Sequence, residues 1–115
     1  MRKPFLSSEH KSKGTLDLVH LDVCGPMSVQ SFSGYNYCVT FIDDYSKKTR
    51  IYFLKAKSKV FEWFWEFKIL VENQTGRKIR VLRTDNGGEY TSNEFLEYCS
   101  LEGIKKENIV PHTLQ

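Results

Sequence analysis

Two short stretches decide the fold: residues 16–23 read LDLVHLDV, and residues 79–85 read IRVLRTD. Both are rich in branched aliphatic residues, and each is followed at once by residues that break a strand, Cys24-Gly25-Pro26 in the first case and Asn86-Gly87-Gly88 in the second. The pattern predicts two β-strands, 16–23 and 79–84, each with an aspartate at its carboxyl end.

The sequence around these strands predicts the remaining elements. Residues 35–42 and 50–54 are further apolar runs joined by a polar turn, which indicates a hairpin or meander. Between 59 and 72 apolar residues recur every three or four positions, which predicts an amphipathic helix with Trp65 outside its apolar stripe. Thr91-x-x-Glu94 resembles a capping box opening a second helix to Glu102, and 104–110 is typical of a weak fifth strand.

The order of these elements defines the fold class. Three strands, a helix, a strand, a helix and a strand predict an α/β domain with a mixed five-stranded sheet and helices on both faces. Residues 1–14 show no periodicity and are interpreted as a linker, so the domain spans 15–115. A chain of 115 residues with 40% hydrophobic content is sufficient for one core without metals or disulfides.

Composition excludes several classes of protein. Seventeen basic against fourteen acidic residues give a net charge of +3, which permits a polyanionic partner without requiring one. The three cysteines are widely spaced and lack zinc-finger spacing. No apolar run reaches the roughly 20 residues of a membrane span, and no signal peptide is recognisable, so an intracellular protein without membrane contact is expected.

Asp22 and Asp85 are the leading candidates for a functional site. Ligands of open α/β sheets bind outside the carboxyl ends of the strands, where both aspartates are predicted. Two carboxylates in one pocket require a cation, and their hard oxygen atoms suit Mg²⁺ or Mn²⁺. The alternative is that both residues only stabilise the turns that follow them.

Other polar residues carry weaker signals. Asp43 and Asp44 are expected to hold a turn, and His20 lies on the same strand face as Asp22, where it is either a pocket residue or a partly buried polar residue. A basic run between the third strand and the first helix is either a solvated surface or a phosphate-contacting patch. This run comprises Lys47, Lys48, Arg50, Lys55, Lys57 and Lys59, of which the first three are the predicted nucleic-acid contacts.

Three ordered blocks then match a known family: HLDVCGPM at 20–27, TFIDDYS at 40–46 and LRTDNGGEY at 82–90. Together they closely resemble the integrase core of plant copia-type retrotransposon polyproteins. The resemblance implies a ribonuclease H-like fold and a polynucleotidyl transferase that uses two divalent metal ions for 3′-end processing and strand transfer. It implies that Asp22 and Asp85 are the catalytic metal ligands.

The same resemblance supplies further expectations. Asn86, Gly87 and Gly88 are predicted to let DNA approach closely, and element cDNA and target DNA are the expected partners. The functional full-length protein is expected to be a homo-oligomer in the nucleus.

The family pattern also indicates an incomplete core. Its third carboxylate, a Glu, corresponds to position 121, and its zinc-binding region precedes residue 1, so 1–14 resembles the remnant of that junction and the core is C-terminally truncated. Leu114 stands where the family usually has Pro. These departures predict an integrase fragment inactive alone, and a non-catalytic nucleic-acid-binding or protein-interaction relic is the alternative.

Overall fold

The computed structural model describes residues 13–26, 34–85 and 92–109, without the side chains of Asp85 and Ile109. The predicted glycine turn at 86–88, Thr91, most of the linker and the last six residues lie outside these described ranges.

Five strands and two α-helices form the described structure, with a short 3₁₀ turn at Lys57–Lys59 before the first helix. The strands are β1 (Leu18–Cys24), β2 (Tyr37–Asp43), β3 (Thr49–Leu54), β4 (Val81–Asp85) and β5 (Lys105–Ile109), and the helices are α1 (Val60–Thr75) and α2 (Asn93–Leu101).

The strands form one mixed sheet in the order β3-β2-β1-β4-β5. The β1–β2 and β2–β3 pairs are antiparallel, whereas β1–β4 and β4–β5 are parallel. The predicted mixed five-stranded sheet is therefore confirmed, with the central strand β1 between one antiparallel and one parallel neighbour.

The core lies between the sheet and both helices. Strand alternation directs Val19, Leu21, Phe41 and Leu82 to one face, where all four are almost fully buried. On that face the ring of Phe41 stacks on Phe67 of α1 at a centroid distance of 4.4 Å.

The expectation of helices on both faces is wrong for the described residues. Phe64 of α1 contacts both Phe41 of the sheet and Phe95 of α2, so the two helices pack side by side on one face. The aromatic residues of α1 and α2 favour this layer because they bury one another as well as the sheet. The opposite face, which carries Asp22, is called the open face below.

The ends of the helices follow local sequence. α1 ends at Gly76, whose φ of 72° is the left-handed conformation that favours glycine. α2 begins one residue later than the proposed capping box implies, because its N-cap is Ser92, whose side chain accepts the Phe95 backbone N–H. Trp65 is 49% exposed, which confirms its place outside the apolar stripe.

Neither α1 nor α2, the two α-helices in the described part of the chain, is both long and apolar enough to cross a membrane.

Candidate functional site

The parallel pairing of β1 with β4 brings the two candidate aspartates to the same edge of the sheet. Leu21 is the register partner of Thr84, so the next residues along the two strands, Asp22 and Asp85, are backbone neighbours. Adjacent strands lie about 4.8 Å apart. Asp22 is solvent-exposed and lies opposite Thr40 of β2. The common location is therefore established by the backbone, and the convergence of the two carboxylates stays a prediction.

A polar cluster on the helical face anchors β4 next to Asp85. The buried Thr84 hydroxyl donates to Oδ1 of Asn108 at 2.9 Å, and Lys106 Nζ donates to the same oxygen at 2.9 Å. Burial lowers the pKa of Lys106. The Thr84–Asn108 bond ties β4 to β5, and Lys106 supports it from within β5 by donating to the same oxygen.

Two hydrogen-bonded side-chain pairs occupy the open face of the sheet alongside Asp22. His20 Nε2 lies 3.1 Å from Oδ1 of Asp44, and the Arg83 guanidinium donates through Nε and Nη2 to Oε1 of Glu107 at 3.1 and 3.0 Å. His20 therefore shares a face with Asp22, as expected, but its carboxylate partner is Asp44. This pairing favours its interpretation as a partly buried polar residue.

Asp43 has a structural role. Its carboxylate is buried and accepts hydrogen bonds from the Leu16 N–H at 2.9 Å, the Ser46 N–H at 3.1 Å and the Ser46 hydroxyl at 2.6 Å. The first bond joins the β2–β3 turn to the segment that enters β1. The turn interpretation of Asp43 is confirmed, and the residue lies at the end of β1 opposite to Asp22.

The basic run is divided between two ends of the sheet. Lys47 is exposed in the β2–β3 turn, while Lys48 and Arg50 line a cavity of about 210 Å³. The other residues that line this cavity are Thr15, Leu16, Asp43, Ser46, Phe67, Val71, Gln74 and Thr75. Lys47 and Lys48 thus lie at the opposite end of β1 from Asp22, whereas Arg50 is aligned through Phe41 with Leu21, in the middle of β1. The roles of Lys47, Lys48 and Arg50 as nucleic-acid contacts stay predictions.

Lys55 and Lys57 lie at the Asp22 end instead. β3 runs antiparallel to β2, and its last residues pair with Tyr37 and Cys38, next to the end of β1. Lys55 Nζ lies 5.5 Å from the ring centroid of Tyr35, and Lys57 Nζ lies 5.8 Å from that of Tyr37. In the sequence these lysines form one group with Lys47 because they are close in the chain. The hairpin of β2 and β3 separates them, since β3 carries the chain from the Lys47 end of the sheet to the Asp22 end.

The donor chemistry of the site fits a hard divalent cation. In the described ranges, no group of three or more His, Cys, Asp or Glu side chains is arranged to hold a metal. Asp22 and Asp85 would supply carboxylate oxygens only, which suits Mg²⁺ because this ion commonly keeps several water ligands beside one or two carboxylates.

Solved structures place this architecture in a recognisable class. The chain is similar to the HTLV-2 integrase catalytic core domain in complex with magnesium, with a TM-score of 0.64 and 21% identity over 86% of this chain and 63% of that chain. It is also similar to a chain of the simian T-cell lymphotropic virus intasome in complex with PP2A regulatory subunit B56 gamma, with a TM-score of 0.64 and 18% identity over 85% of this chain and 33% of the other. The fold is the ribonuclease H-like fold of integrase catalytic cores.

Sequence comparison identifies the family more closely. Residues 13–113 match the integrase core domain model, and the chain belongs to that family. It is 54% identical over 99% of its length to the retrovirus-related Pol polyprotein from transposon TNT 1-94 of Nicotiana tabacum. It is 37% identical over 96% of its length to the Pol polyprotein from transposon RE1 of Arabidopsis thaliana. The chain spans 9% and 7% of these two relatives, respectively, so it corresponds to their integrase core region.

Proposed function

We propose that this chain provides the metal-binding part of a retrotransposon integrase active site, with Asp22 and Asp85 as ligands of Mg²⁺ or Mn²⁺ and DNA as the substrate. The observation that carries the proposal is the register of β1 and β4, which makes the two aspartates neighbours at the carboxyl edge of a parallel pair. Membership of the integrase core family and the likeness to a magnesium-bound integrase core support it.

The residues of the chain would act by position and charge. When bound, the divalent ion supplies Lewis-acid activation of a phosphodiester and of the attacking hydroxyl during polynucleotidyl transfer. Asp22 and Asp85 would hold that ion from the sheet side, and the Thr84–Asn108 hydrogen bond ties β4, the strand of Asp85, to β5. The Glu that the family pattern places at position 121 would close the opposite side, and strand transfer by the element's integrase is proposed to require it.

The metal site can be tested on this chain without any catalytic assay. Mn²⁺ is titrated into isotope-labelled protein while paramagnetic broadening of backbone amides is followed by NMR. We expect weak binding, with broadening centred on Leu21, Asp22 and Val23 of β1 and on Thr40 of β2. Asp22→Asn combined with Asp85→Asn should abolish it because both carboxylates are then neutral.

Asp44→Asn is the matched control for the metal site. It also removes one carboxylate from the open face, but Asp44 lies beyond the far end of β2 and next to Lys47. Broadening around Asp22 should persist in this variant. Broadening that survives the Asp22/Asp85 double substitution, or that is centred on Asp44, would contradict the proposed ligands.

We further propose that DNA approaches the Asp22 edge across Lys55 and Lys57. These cations follow the end of β3 that pairs beside the carboxyl end of β1, whereas Lys47 and Lys48 lie at the other end of the sheet and Arg50 lies level with the middle of β1. Phosphate contacts of this kind are independent of base sequence and weaken as salt rises.

Paired double variants distinguish the two basic groups. Lys55→Gln with Lys57→Gln and, as the matched control, Lys47→Gln with Lys48→Gln each remove two positive charges. Fluorescence anisotropy with a labelled DNA duplex should show a greater loss of affinity for the first pair. An equal or greater loss for the control pair would favour the predicted contacts at Lys47, Lys48 and Arg50 instead.

The full-length protein is proposed to act as a homo-oligomer on chromosomal DNA in the nucleus. The HTLV-2 integrase core has been described in dimeric and trimeric forms, which supports the oligomer part of this proposal. Light scattering of the full-length protein tests it, and a strictly monomeric species would contradict it.

A further inference from the structure

Two cysteines face each other beside the Asp22 edge. Cys24 is the last residue of β1 and Cys38 the second residue of β2, and the antiparallel register makes them direct partners. Their Cα atoms are 5.4 Å apart, within the range that a disulfide spans, and the structure links them. Because Cys24 follows Asp22 by two residues, both lie on the open face.

We propose that Cys24 and Cys38 are a reversible thiol–disulfide site that clamps the ends of β1 and β2 beside Asp22. The proposal does not depend on metal or DNA binding. The clamp joins the last residue of β1 to the second residue of β2, the strand pair that includes Asp22. Oxidation therefore restricts the separation of β1 from β2 at this edge, and reduction releases that restriction.

Access to solvent makes this pair the reactive thiols among the three cysteines. Cys24 is exposed and Cys38 is half-buried, so a small disulfide reagent can reach them. Cys99 is 2% exposed in α2, among core residues that include Phe95. Burial raises the pKa of the Cys99 thiol to about 11, which keeps it protonated and unreactive.

Glutathione disulfide is a sufficient oxidant for the exchange. One protein thiol loses its proton and attacks a sulfur of glutathione disulfide, forming a mixed disulfide and releasing one glutathione. The second protein thiol loses its proton and attacks the mixed disulfide at the protein sulfur, releasing the second glutathione. Two protein thiols are oxidised, one glutathione disulfide is reduced to two glutathione molecules, and one S–S bond replaces another.

The linked state should be more stable because the crosslink restricts the unfolded chain. Cys24 and Cys38 are 14 residues apart. For a loop of this size the midpoint of thermal unfolding should rise on the order of 10 °C. The native amides at the strand ends should also exchange more slowly, since the clamp suppresses local separation of β1 and β2.

The experiment equilibrates the protein in glutathione buffers of rising disulfide content and maps the thiols by alkylation and peptide mass spectrometry. We expect a Cys24–Cys38 link with Cys99 still a thiol, a higher Tm and slower hydrogen exchange at Asp22, Cys24 and Thr40. Dithiothreitol should reverse all three changes. Cys38→Ser should show none of them, whereas Cys99→Ala, the matched control, should retain them all.

Three outcomes would overturn the proposal. The first is failure of the folded chain to form the link in excess glutathione disulfide, and the second is a preferred link through Cys99. The third is a Cys24–Cys38 link that changes neither Tm nor exchange at the strand ends. None of these measurements involves metal or DNA, so the test of the disulfide remains valid even if Asp22 and Asp85 do not bind a metal ion.

Discussion

Replacing Asp43 by alanine tests whether this carboxylate, at the start of the β2–β3 turn, serves the fold or the chemistry. The substitution removes the acceptor of three hydrogen bonds. Ser46 is exposed, so water can replace its two bonds at a cost of about 1 kcal/mol. The Leu16 N–H is buried and loses its partner, which adds about 2 kcal/mol.

The expected loss is therefore about 3 kcal/mol of unfolding free energy. For a domain of this size that corresponds to a fall in Tm of more than about 10 °C. The backbone of Leu16 is held in the left-handed region, with a φ of 73°. Asp43→Ala also removes the hydrogen bond that fixes the Leu16 N–H in this conformation.

Urea unfolding of Asp43→Ala, Ser46→Ala and the double variant measures these contributions. Ser46→Ala should cost about 1 kcal/mol, and the double variant should cost less than the sum of the two because the residues share their bonds. Mn²⁺ broadening at Asp22 should persist in the folded fraction of Asp43→Ala. A loss of stability below about 1 kcal/mol, or loss of the Mn²⁺ signal from folded protein, would refute the structural role.

Further predictions concern the cluster that Lys68 forms with Glu72 and Glu102. Lys68 donates to Glu72 and Glu102 at 2.9 Å each, so Lys68→Met should lower the free energy of unfolding in urea by about 2–3 kcal/mol. Lys59→Met, in the exposed pair with Glu62, should lower it by less than about 0.5 kcal/mol. Equal losses in the two variants would contradict the argument that burial makes the Lys68 bonds stronger. Hydrogen bonding to Lys68 lowers the pKa of Glu102, so this carboxylate contributes stability above its ordinary value of 4.5 and loses it as pH falls through the lowered pKa. As pH falls, the free energy of unfolding should therefore decrease more steeply in the wild type than in Glu102→Gln. Parallel decreases in the two proteins would argue against a stabilising bond between Lys68 and Glu102. Burial alone would lower the pKa of Lys68, but its bonds to Glu102 and Glu72 raise it to about 12. The stability of the wild type should therefore fall relative to that of Lys68→Met as pH rises from 10.5 through 12. Urea unfolding at alkaline pH that shows no such relative fall would contradict this role of Lys68.

Local patterns predicted the elements well because each is encoded by neighbouring residues. The period of α1 is set by Val60, Phe64, Phe67 and Val71, which the structure buries together. The exposed position of Trp65 follows from the same period. The N-cap of α2 was misplaced by one residue because Thr91 and Ser92 are both good caps, and the choice between them depends on which side chain reaches Phe95.

Relations between elements were predicted less well, since they depend on packing. Alternating strands and helices suggested helices on both faces, but no local signal reports that Phe64 and Phe95 pack against each other. The buried Lys68 likewise occupies a position that its residue type disfavours, and its partners are Glu72 from its own helix and Glu102 after α2, with the Tyr98 ring beside them. The Cys24–Cys38 pairing required the register of β1 with β2, which the two separate runs do not reveal.

The candidate site shows why the direction of a strand matters more than the identity of its aspartate. Asp22, Asp43 and Asp85 all lie at or near the carboxyl ends of their strands, and by sequence each was eligible for the same chemistry. β1 and β4 are parallel, so their carboxyl ends meet at one edge. β2 is antiparallel to β1, so its carboxyl end carries Asp43 to the opposite edge, where two backbone N–H groups and the Ser46 hydroxyl donate hydrogen bonds to it. The division between the proposed metal-binding aspartates and the fold-stabilising Asp43 therefore follows from the sheet topology, and exchanging their positions would require reversing a strand.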